Sequence, residues 1–583
     1  MHSDTHFCIA DMGCLLAGLV DVPIDLTQTI ENILFILRHS AAKSLVVSNL
    51  DLLYQILPYL HEASSLQSVI VAEVPAKWEE VKQTLLRREQ DGNQQANEGE
   101  PSKLVQPECS LDAPEECLQI PHFLGEGHLT HPMPETLLTR SIRFFSLEEV
   151  RESGKLLWTE DRVQALRQAI APGDLATIIY IASETKQPKG VMLSHENISA
   201  DILAAFSTFP NLETGSKEIA VSFLPLTHIF ARAFLYGHLY YGHSIYFSDP
   251  NHLVKHLKLV NPTILITVPR LLEKMVERIL DRKQRLSKFD QRVFNWAFNL
   301  ARRYEVGKPM SKLFRLSLKL ADRLVFAKWR AIFGDRMKAL ICGGAPLKAE
   351  LVNLFSAAGI PLLQGYGLTE TSAVLCYNRG EYNRAGTVGV PIPGVEIAIA
   401  EDGEILVKSP FAMQGYYRDP EATQRVIDAD GWLHTGDLGE LSTDGFLTIT
   451  GVKKPMFKLS TGKYVSPLPL EQELHQSPLV AHAVTVGAGH KFCGMLIFPH
   501  QKAVWHQAQQ LEVDPNTEFW LQHPCIQALY HDLIERANCH LPYWSTVRKF
   551  RIVDADLSVE NGLLLTDGTV NRTQIYKTFA AEI

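Results

Sequence analysis

The stretch Leu362-Leu363-Gln364-Gly365-Tyr366-Gly367-Leu368-Thr369-Glu370-Thr371 brings an aromatic ring, two glycines, hydroxyls and a carboxylate together behind an apolar run. A ring such as Tyr366 offers a face to a nucleobase. Glycines such as Gly367 admit phosphates close to the backbone, and the Glu370 carboxylate is a hard oxygen donor of the kind Mg²⁺ takes. Thr369 adds a hydroxyl within reach of the same group. These residue types in this order suit a nucleotide, and the preceding apolar run reads as a buried strand that would hold them.

Positioning them takes more than one core. At 583 residues the chain exceeds what a single hydrophobic core usually supports, so two or more domains are expected. The hydrophobic and charged fractions, 46% and 21%, are those of an ordinary globular protein. A net charge of −9 gives no global attraction to nucleic acid, and none is expected as a partner. The nine cysteines are scattered without a C-x-x-C pair, which signals neither a zinc site nor a disulfide framework and fits reduced thiols in the cytoplasm. The most apolar run, Cys8 to Ile24, is interrupted by Asp11 and Asp21, and no basic leader precedes it. A cytoplasmic location is expected, with peripheral membrane contact left open. The sequence is silent on oligomeric state.

Residues 7 to 75 read as αβαβ around a parallel sheet, with strands at Leu45-Val46-Val47 and Val69-Ile70-Val71-Ala72. Between residues 87 and 138 the character turns to Gln, Asn, Glu, Gly, Pro and His, as in a disordered surface insertion; His122, His128 and His131 lack a compact ligand spacing. Ser146 to Glu149 carries a capping-box pattern at a helix start. Ala176 to Ala182 is a buried strand, expected to lead through a polar loop into a helix near Ser194. Alternating βα units run on to about Gly380, with amphipathic helices over Arg270 to Arg282 and Phe289 to Tyr304. After Gly386 short strands with Gly/Pro turns predict a small β-rich subdomain, and a small α+β domain follows from about Gly451. The fold class is therefore α/β: a large N-terminal domain of βα-layered sheets with a β-rich subdomain, over residues 1–450, then a small mobile α+β domain over 451–583.

Five further segments stand in order around the opening motif: Tyr180-Ile181-Ala182-Ser183-Glu184-Thr185-Lys186-Gln187-Pro188-Lys189-Gly190, Leu224-Pro225-Leu226-Thr227-His228-Ile229-Phe230, Val268-Pro269-Arg270, Cys342-Gly343-Gly344-Ala345-Pro346 and Gly431-Trp432-Leu433-His434-Thr435-Gly436-Asp437. In this order they resemble the AMP-forming adenylate synthetases, specifically the long-chain fatty acyl-CoA synthetases. The resemblance implies an ATP-dependent ligase: a fatty carboxylate gives acyl-AMP and pyrophosphate, and CoA thiol then displaces AMP. The small-molecule partners would be ATP with Mg²⁺, a fatty acid and CoA. By the same resemblance Tyr366 and Gly367 would sit beside adenine, Thr369 on a phosphate, and Glu370 on Mg²⁺. Gly344, Ala345 and Pro346 would wall the adenine and acyl group, and Asp437 would accept from the ribose hydroxyls. Thr185 and Lys189 would serve the phosphates, and His228 would stand near the reacting carboxylate. Taken singly, Tyr366 also suits core packing, Asp437 and Gly343-Gly344 suit turns, and His228 suits a structural role.

The resemblance breaks at three places. Ser183 and Lys186 stand where the family's phosphate loop has glycines, and Glu184 adds a carboxylate. In Gly451-Val452-Lys453-Lys454-Pro455, Val452 replaces an arginine and Pro455 fixes φ at the expected hinge. Near the C-terminus Val570 takes the place of a lysine, with Arg572 and Lys577 nearby. An alternative expectation is thus a catalytically impaired descendant that binds nucleotide or acyl chains as a regulator or scaffold. The front end also reads as short of the family by a strand and a helix.

Overall fold

The computed structural model describes residues 2–87, 142–181, 187–209, 211–380, 382–453, 457–459, 464–465, 467–488, 490–515, 517, 520–538, 541, 545–565 and 568–583. The expected insertion beyond Arg87, its histidines, the loop residues Ser183, Glu184, Thr185 and Lys186, and the hinge residue Pro455 lie outside them. The chain divides into two compact units, residues 29–162 and residues 2–28 with 163–583.

In the first unit Ser44–Val47, Ser68–Val71 and Arg143–Ser146 form a parallel sheet in that order, interleaved with the helices Ile30–His39 and Leu50–Ile56. The apolar residues Val69, Val71 and Phe144 are buried in it. The capping box is present: the Glu149 amide donates to Ser146 Oγ at 3.1 Å, and the Ser146 amide donates to the Glu149 carboxylate at 2.6 Å.

The second unit is built on a seven-stranded sheet. The strands Ser244–Phe247, Ile219–Ser222, Ile264–Thr267, Ala339–Cys342 and Leu362–Tyr366 run parallel, and Cys376–Tyr377 and Val390–Pro391 close one edge antiparallel. Continuous apolar runs such as Ile264-Leu265-Ile266 suit strands covered on both faces. The helices Pro269–Gln284 and Lys288–Arg302 pack apolar stripes, including Leu272, Met275, Phe294 and Ala297, into the core beside this sheet. Residues 189–194, expected as the end of a loop, form a strand instead. Val191 and Leu193 alternate inward there, and Lys189–Ser194 returns antiparallel along Leu175–Ile181 before the helix His195–Ser207 begins.

The β-rich part is an antiparallel sheet of Glu396–Ile399, Glu404–Lys408, Leu433–Leu441 and Leu447–Val452. The smaller C-terminal domain has the strands Val480–Val486, Cys493–Pro499 and Val547–Ile552, with the helices Leu468–His475, Gln501–Gln510, Pro524–Asn538 and Arg572–Thr578. This mixed α/β plan agrees with the fold class expected from the sequence.

One helix, Ile229–Tyr240, is buried along almost its whole length and carries a charge at its centre. Arg232 is fully buried and donates to Asp11 at 2.6 Å, to Asp21 at 3.0 Å and to Thr177 Oγ1 at 3.0 Å. The Tyr236 hydroxyl donates to the other Asp11 oxygen at 2.6 Å. Burial pushes the Asp11 carboxyl up to about 7 against the opposing pull of Arg232, while the neighbouring carboxylates hold Arg232 charged despite its own burial. The two aspartates that interrupt the apolar N-terminal run are the partners of this arginine. Among the described residues no helix is long and apolar enough to cross a membrane.

Candidate active site

The strand Leu362–Tyr366 delivers its last side chain into a corner, and the chain then turns through Gly367. A Cβ at Gly367 would lie 1.8 Å from the Ala373 carbonyl oxygen, so the turn admits glycine alone. After the short turn Thr369–Thr371, Ser372 and Ala373 both adopt positive φ, 61° and 132°. Two adjacent non-glycine residues in such conformations store strain, which persists only where surrounding bonds impose it. Ser372 Oγ donates to the Phe411 carbonyl at 2.8 Å, and the Val374 amide donates to Asp201 Oδ1 at 3.1 Å.

The Tyr366 hydroxyl donates to Asp437 at 2.7 Å. Asp437 stands in the strand Leu433–Leu441 rather than in a turn, while the Tyr366 ring also packs against the apolar cluster of Leu375, Cys376 and Leu447, so it serves the core as well as this bond. Burial raises the Asp437 carboxyl above the ordinary range, and the Tyr366 hydrogen bond offsets part of that. Asp437 faces Val452 across the ladder. The adjacent Lys453 is bound to Asp402 at 2.8 Å and to Glu404 at 2.5 Å, and Glu404 also accepts from His434 at 2.9 Å and from the Gly436 amide at 3.0 Å.

Glu370 accepts from the Tyr416 hydroxyl at 2.9 Å, and the Lys189 ammonium lies 5.1 Å from the centre of the Tyr416 ring. Burial raises the Glu370 carboxyl, while the Tyr416 hydrogen bond and the charge of Lys189 pull it back. Tyr416 joins Glu370 to Lys189, and the sequence reading missed it. The Gly415-Tyr416-Tyr417-Arg418-Asp419 run was the available signal; its two-residue strand pairs with Val191 and Met192 beside Lys189.

A cavity of about 520 Å³ opens beside this corner. Its wall takes in Gly343, Gly344, Tyr366 to Glu370, His228 and successive residues of the helix Ile229–Tyr240. His228 has 67% of its side chain exposed, and its Nε2 is 3.6 Å from the Asp25 carboxylate, which also accepts from Thr227 Oγ1 at 2.8 Å. Gly344 has φ of +79°; Ala345 and Pro346 are exposed and lie outside the cavity wall. The geometry thus gathers Lys189, His228, Gly344, Tyr366, Gly367, Thr369, Glu370 and Asp437. Thr185 lies outside the described residues.

At the C-terminus Val570 packs against the apolar cluster of Val484, Leu496, Phe498 and Ile575 and bridges to Leu564. Arg572 is paired with Glu471.

Comparison with known proteins gives these features a lineage. Residues 1–417 match the family model described as AMP-binding enzyme, and residues 456–583 match that of the AMP-binding enzyme C-terminal domain. The long-chain-fatty-acid–CoA ligase FadD15 of Mycobacterium tuberculosis is 34% identical over 429 residues, 72% of this chain and 70% of that protein. Long-chain-fatty-acid–CoA ligase 1 of Homo sapiens is 30% identical over 431 residues, 71% of this chain and 61% of that protein. Among solved structures, the adenylation domain of a carboxylate reductase from Mycobacterium chelonae matches with a TM-score of 0.62 at 20% identity, covering 100% of this chain and 78% of that one. The O-succinylbenzoate CoA synthetase of Bacillus subtilis, in complex with ATP and magnesium ion, matches with a TM-score of 0.56 at 16% identity, covering 98% of this chain and 87% of that one. The chain belongs to the AMP-binding enzyme family, among its AMP-forming acyl-CoA synthetases.

Proposed function

We propose that the protein activates a long-chain fatty acid with ATP, forming acyl-AMP and then acyl-CoA. One juxtaposition carries this reading: the Tyr366–Asp437 corner and the Thr369–Glu370 turn border an apolar cavity that takes in His228 and continues along Ile229–Tyr240. In the first step a carboxylate oxygen attacks the α-phosphorus of ATP and the bond to pyrophosphate breaks. In the second the CoA sulfur attacks the acyl carbon, and AMP leaves.

Positioning and charge stabilisation are what such a reaction asks of a protein. Tyr366 and Gly367 lie along the adenine, and Asp437 accepts from the ribose hydroxyls as its bond to Tyr366 opens. Thr369 donates to a phosphate, Lys189 and Thr185 serve the phosphate chain, and Gly344 with Ala345 and Pro346 walls the adenine side. His228 orients the fatty carboxylate at the cavity mouth. Glu370 would fit Mg²⁺: it is a hard oxygen donor, and the burial that raises its carboxyl leaves its ionised form in want of a counter-charge. Mg²⁺, when bound, neutralises charge on the phosphates. Residues 1–450 make up the adenylating part, and 451–583 the mobile domain.

The test is pyrophosphate release from ATP and Mg²⁺ with a panel of fatty acids, with and without CoA. Acid-dependent pyrophosphate, and acyl-CoA when CoA is added, is the expected result. No pyrophosphate for any acid, beside an active relative as control, would favour the second reading: a descendant that binds nucleotide or acyl chains without turnover. Val570 within the C-terminal core and Arg572 paired to Glu471 support that alternative, since neither supplies a free cation.

Peripheral membrane contact has its own support. Leu313, Leu316, Leu320 and Leu324 are exposed along one stripe of the helix Lys312–Ala321 and its continuation, among Lys312, Arg315, Lys319 and Arg323. Apolar residues flanked by basic ones suit an anionic lipid surface. Flotation with anionic vesicles, and its loss on Leu316→Glu, is the matching measurement.

A further inference from the structure

The cavity beside the candidate active site is not apolar throughout. His238 and Asp201 both line it, both are buried, and each carries a polar atom with no hydrogen-bond partner: Nε2 of His238 and Oδ2 of Asp201. Buried polar atoms are nearly always paired, so an unmet one in a cavity wall points to a group that the cavity is shaped to receive. Asp201 has a local duty, since its Oδ1 holds the strained loop at Val374. No such duty accounts for His238 Nε2.

The state of that nitrogen follows from its neighbours. His243 Nε2 is 2.7 Å from the Glu213 carbonyl oxygen, which only accepts, so this nitrogen carries a proton. In the one-proton tautomer that this bond selects, His243 Nδ1 accepts from His238 Nδ1 across 2.6 Å. In that arrangement the His238 proton sits on Nδ1, and Nε2 is left as a lone pair. Burial keeps the His238 ring neutral, pushing its pKa well below the usual histidine range. The ring is packed edge-on against Phe234 at 4.1 Å and Phe206 at 5.4 Å between centroids, both also in the cavity wall. A lone pair fixed in this way calls for a donor.

We propose that the acyl chain this cavity is built for carries a hydroxyl group on its distal half, which donates to His238 Nε2. This rests on the ligase reading of the same site. The hydroxyl's place on the chain follows from the helix. His228 marks the carboxyl end of the cavity, and from residue 228 to residue 238 a helix advances about 15 Å. An extended chain advances about 1.2 Å per bond, from about 3.5 Å for the three bonds of a peptide residue. The hydroxyl thus falls about twelve bonds from the carboxyl carbon. An unsubstituted chain would lay methylene against the lone pair and leave it unmet. A site that hydrogen-bonds a hydroxyl discriminates against the analogue lacking it far more strongly than an apolar pocket discriminates by size.

The experiment compares 12-hydroxyoctadecanoate with octadecanoate on the full chain, by calorimetric binding and by pyrophosphate release. The hydroxy acid is expected to bind about tenfold tighter or more. His238→Leu is expected to abolish that preference while keeping octadecanoate affinity. His243→Leu, outside the cavity wall, removes the acceptor that fixes the His238 proton and is expected to reduce the preference. Equal or weaker binding of the hydroxy acid by the unaltered protein overturns the proposal, as does a preference that survives His238→Leu. Should the variants fail to fold, the comparison on the unaltered protein decides. A binding preference without pyrophosphate from any acid sinks the ligase reading and keeps this inference. Pyrophosphate without preference does the reverse, and binding of neither acid overturns both.

Discussion

Asp437 and Val452 oppose each other across the ladder between Leu433–Leu441 and Leu447–Val452. Directly opposed residues share a sheet face, so Val452 places an apolar side chain beside the carboxylate assigned to ribose. Val452→Arg is expected to tighten ATP binding about tenfold, since hydrogen bonds to charged groups contribute about 1.5–3 kcal/mol and partial exposure discounts the upper end. Calorimetry of ATP binding checks this; unchanged affinity would place the nucleotide elsewhere.

Nucleotide loading is expected to depend on pH through Glu370. Its carboxyl is raised by burial, and Mg²⁺ takes only the ionised form, so Mg²⁺-dependent ATP affinity rises as pH climbs above the ordinary glutamate range and levels off once Glu370 is ionised. Tyr416→Phe removes a donor to the carboxylate, raises Glu370 further and shifts that rise to higher pH. Titrating ATP affinity at several pH values for both proteins tests the sign. A flat profile, or a shift to lower pH, contradicts it.

Gly367→Ala is expected to destabilise the second unit by about 3 kcal/mol or more, because its methyl group would meet backbone, which cannot swing aside. Urea denaturation reads the loss directly. A variant as stable as the parent would mean that the turn can take another path.

Arg232→Met leaves the buried Asp11 and the half-buried Asp21 without their counter-charge, at a cost of about 3 kcal/mol or more. Adding Asp11→Asn should restore part of the lost stability, because it removes one of the stranded charges. Thermal melts of the single and double variants separate this from a simple packing defect, which Asp11→Asn would not relieve.

Local features of this molecule were legible in the sequence, and long-range ones were not. The βα alternation, the strand ending at Tyr366 and the capping box at Ser146 each follow from neighbours in the chain. The strand Lys189–Ser194 was missed because the polar stretch before it reads as continuing loop, and only pairing with Leu175–Ile181 makes it a strand. Asp11 and Asp21 read as breaks in an apolar run, since their partner Arg232 is more than two hundred residues away. Tyr416 was passed over for the same reason: its bond to Glu370 joins segments that only the fold brings together. The motif residues could be ranked by type and order, whereas the unmet nitrogen of His238 exists only once the cavity wall is assembled.

Arg232 sits between His228 and His238 on a single helix, tied to Asp11, Asp21 and Thr177. A rod pinned at its middle can neither slide nor roll without breaking buried bonds, so the interval between its two histidines behaves as the fixed jaw of a caliper. Changes in the length of acid accepted would then arise at the far wall, around Phe206, Phe209 and Leu212, while the position of any recognised substituent stays put. Gauge and stop would be separate parts of the molecule, free to be altered one at a time.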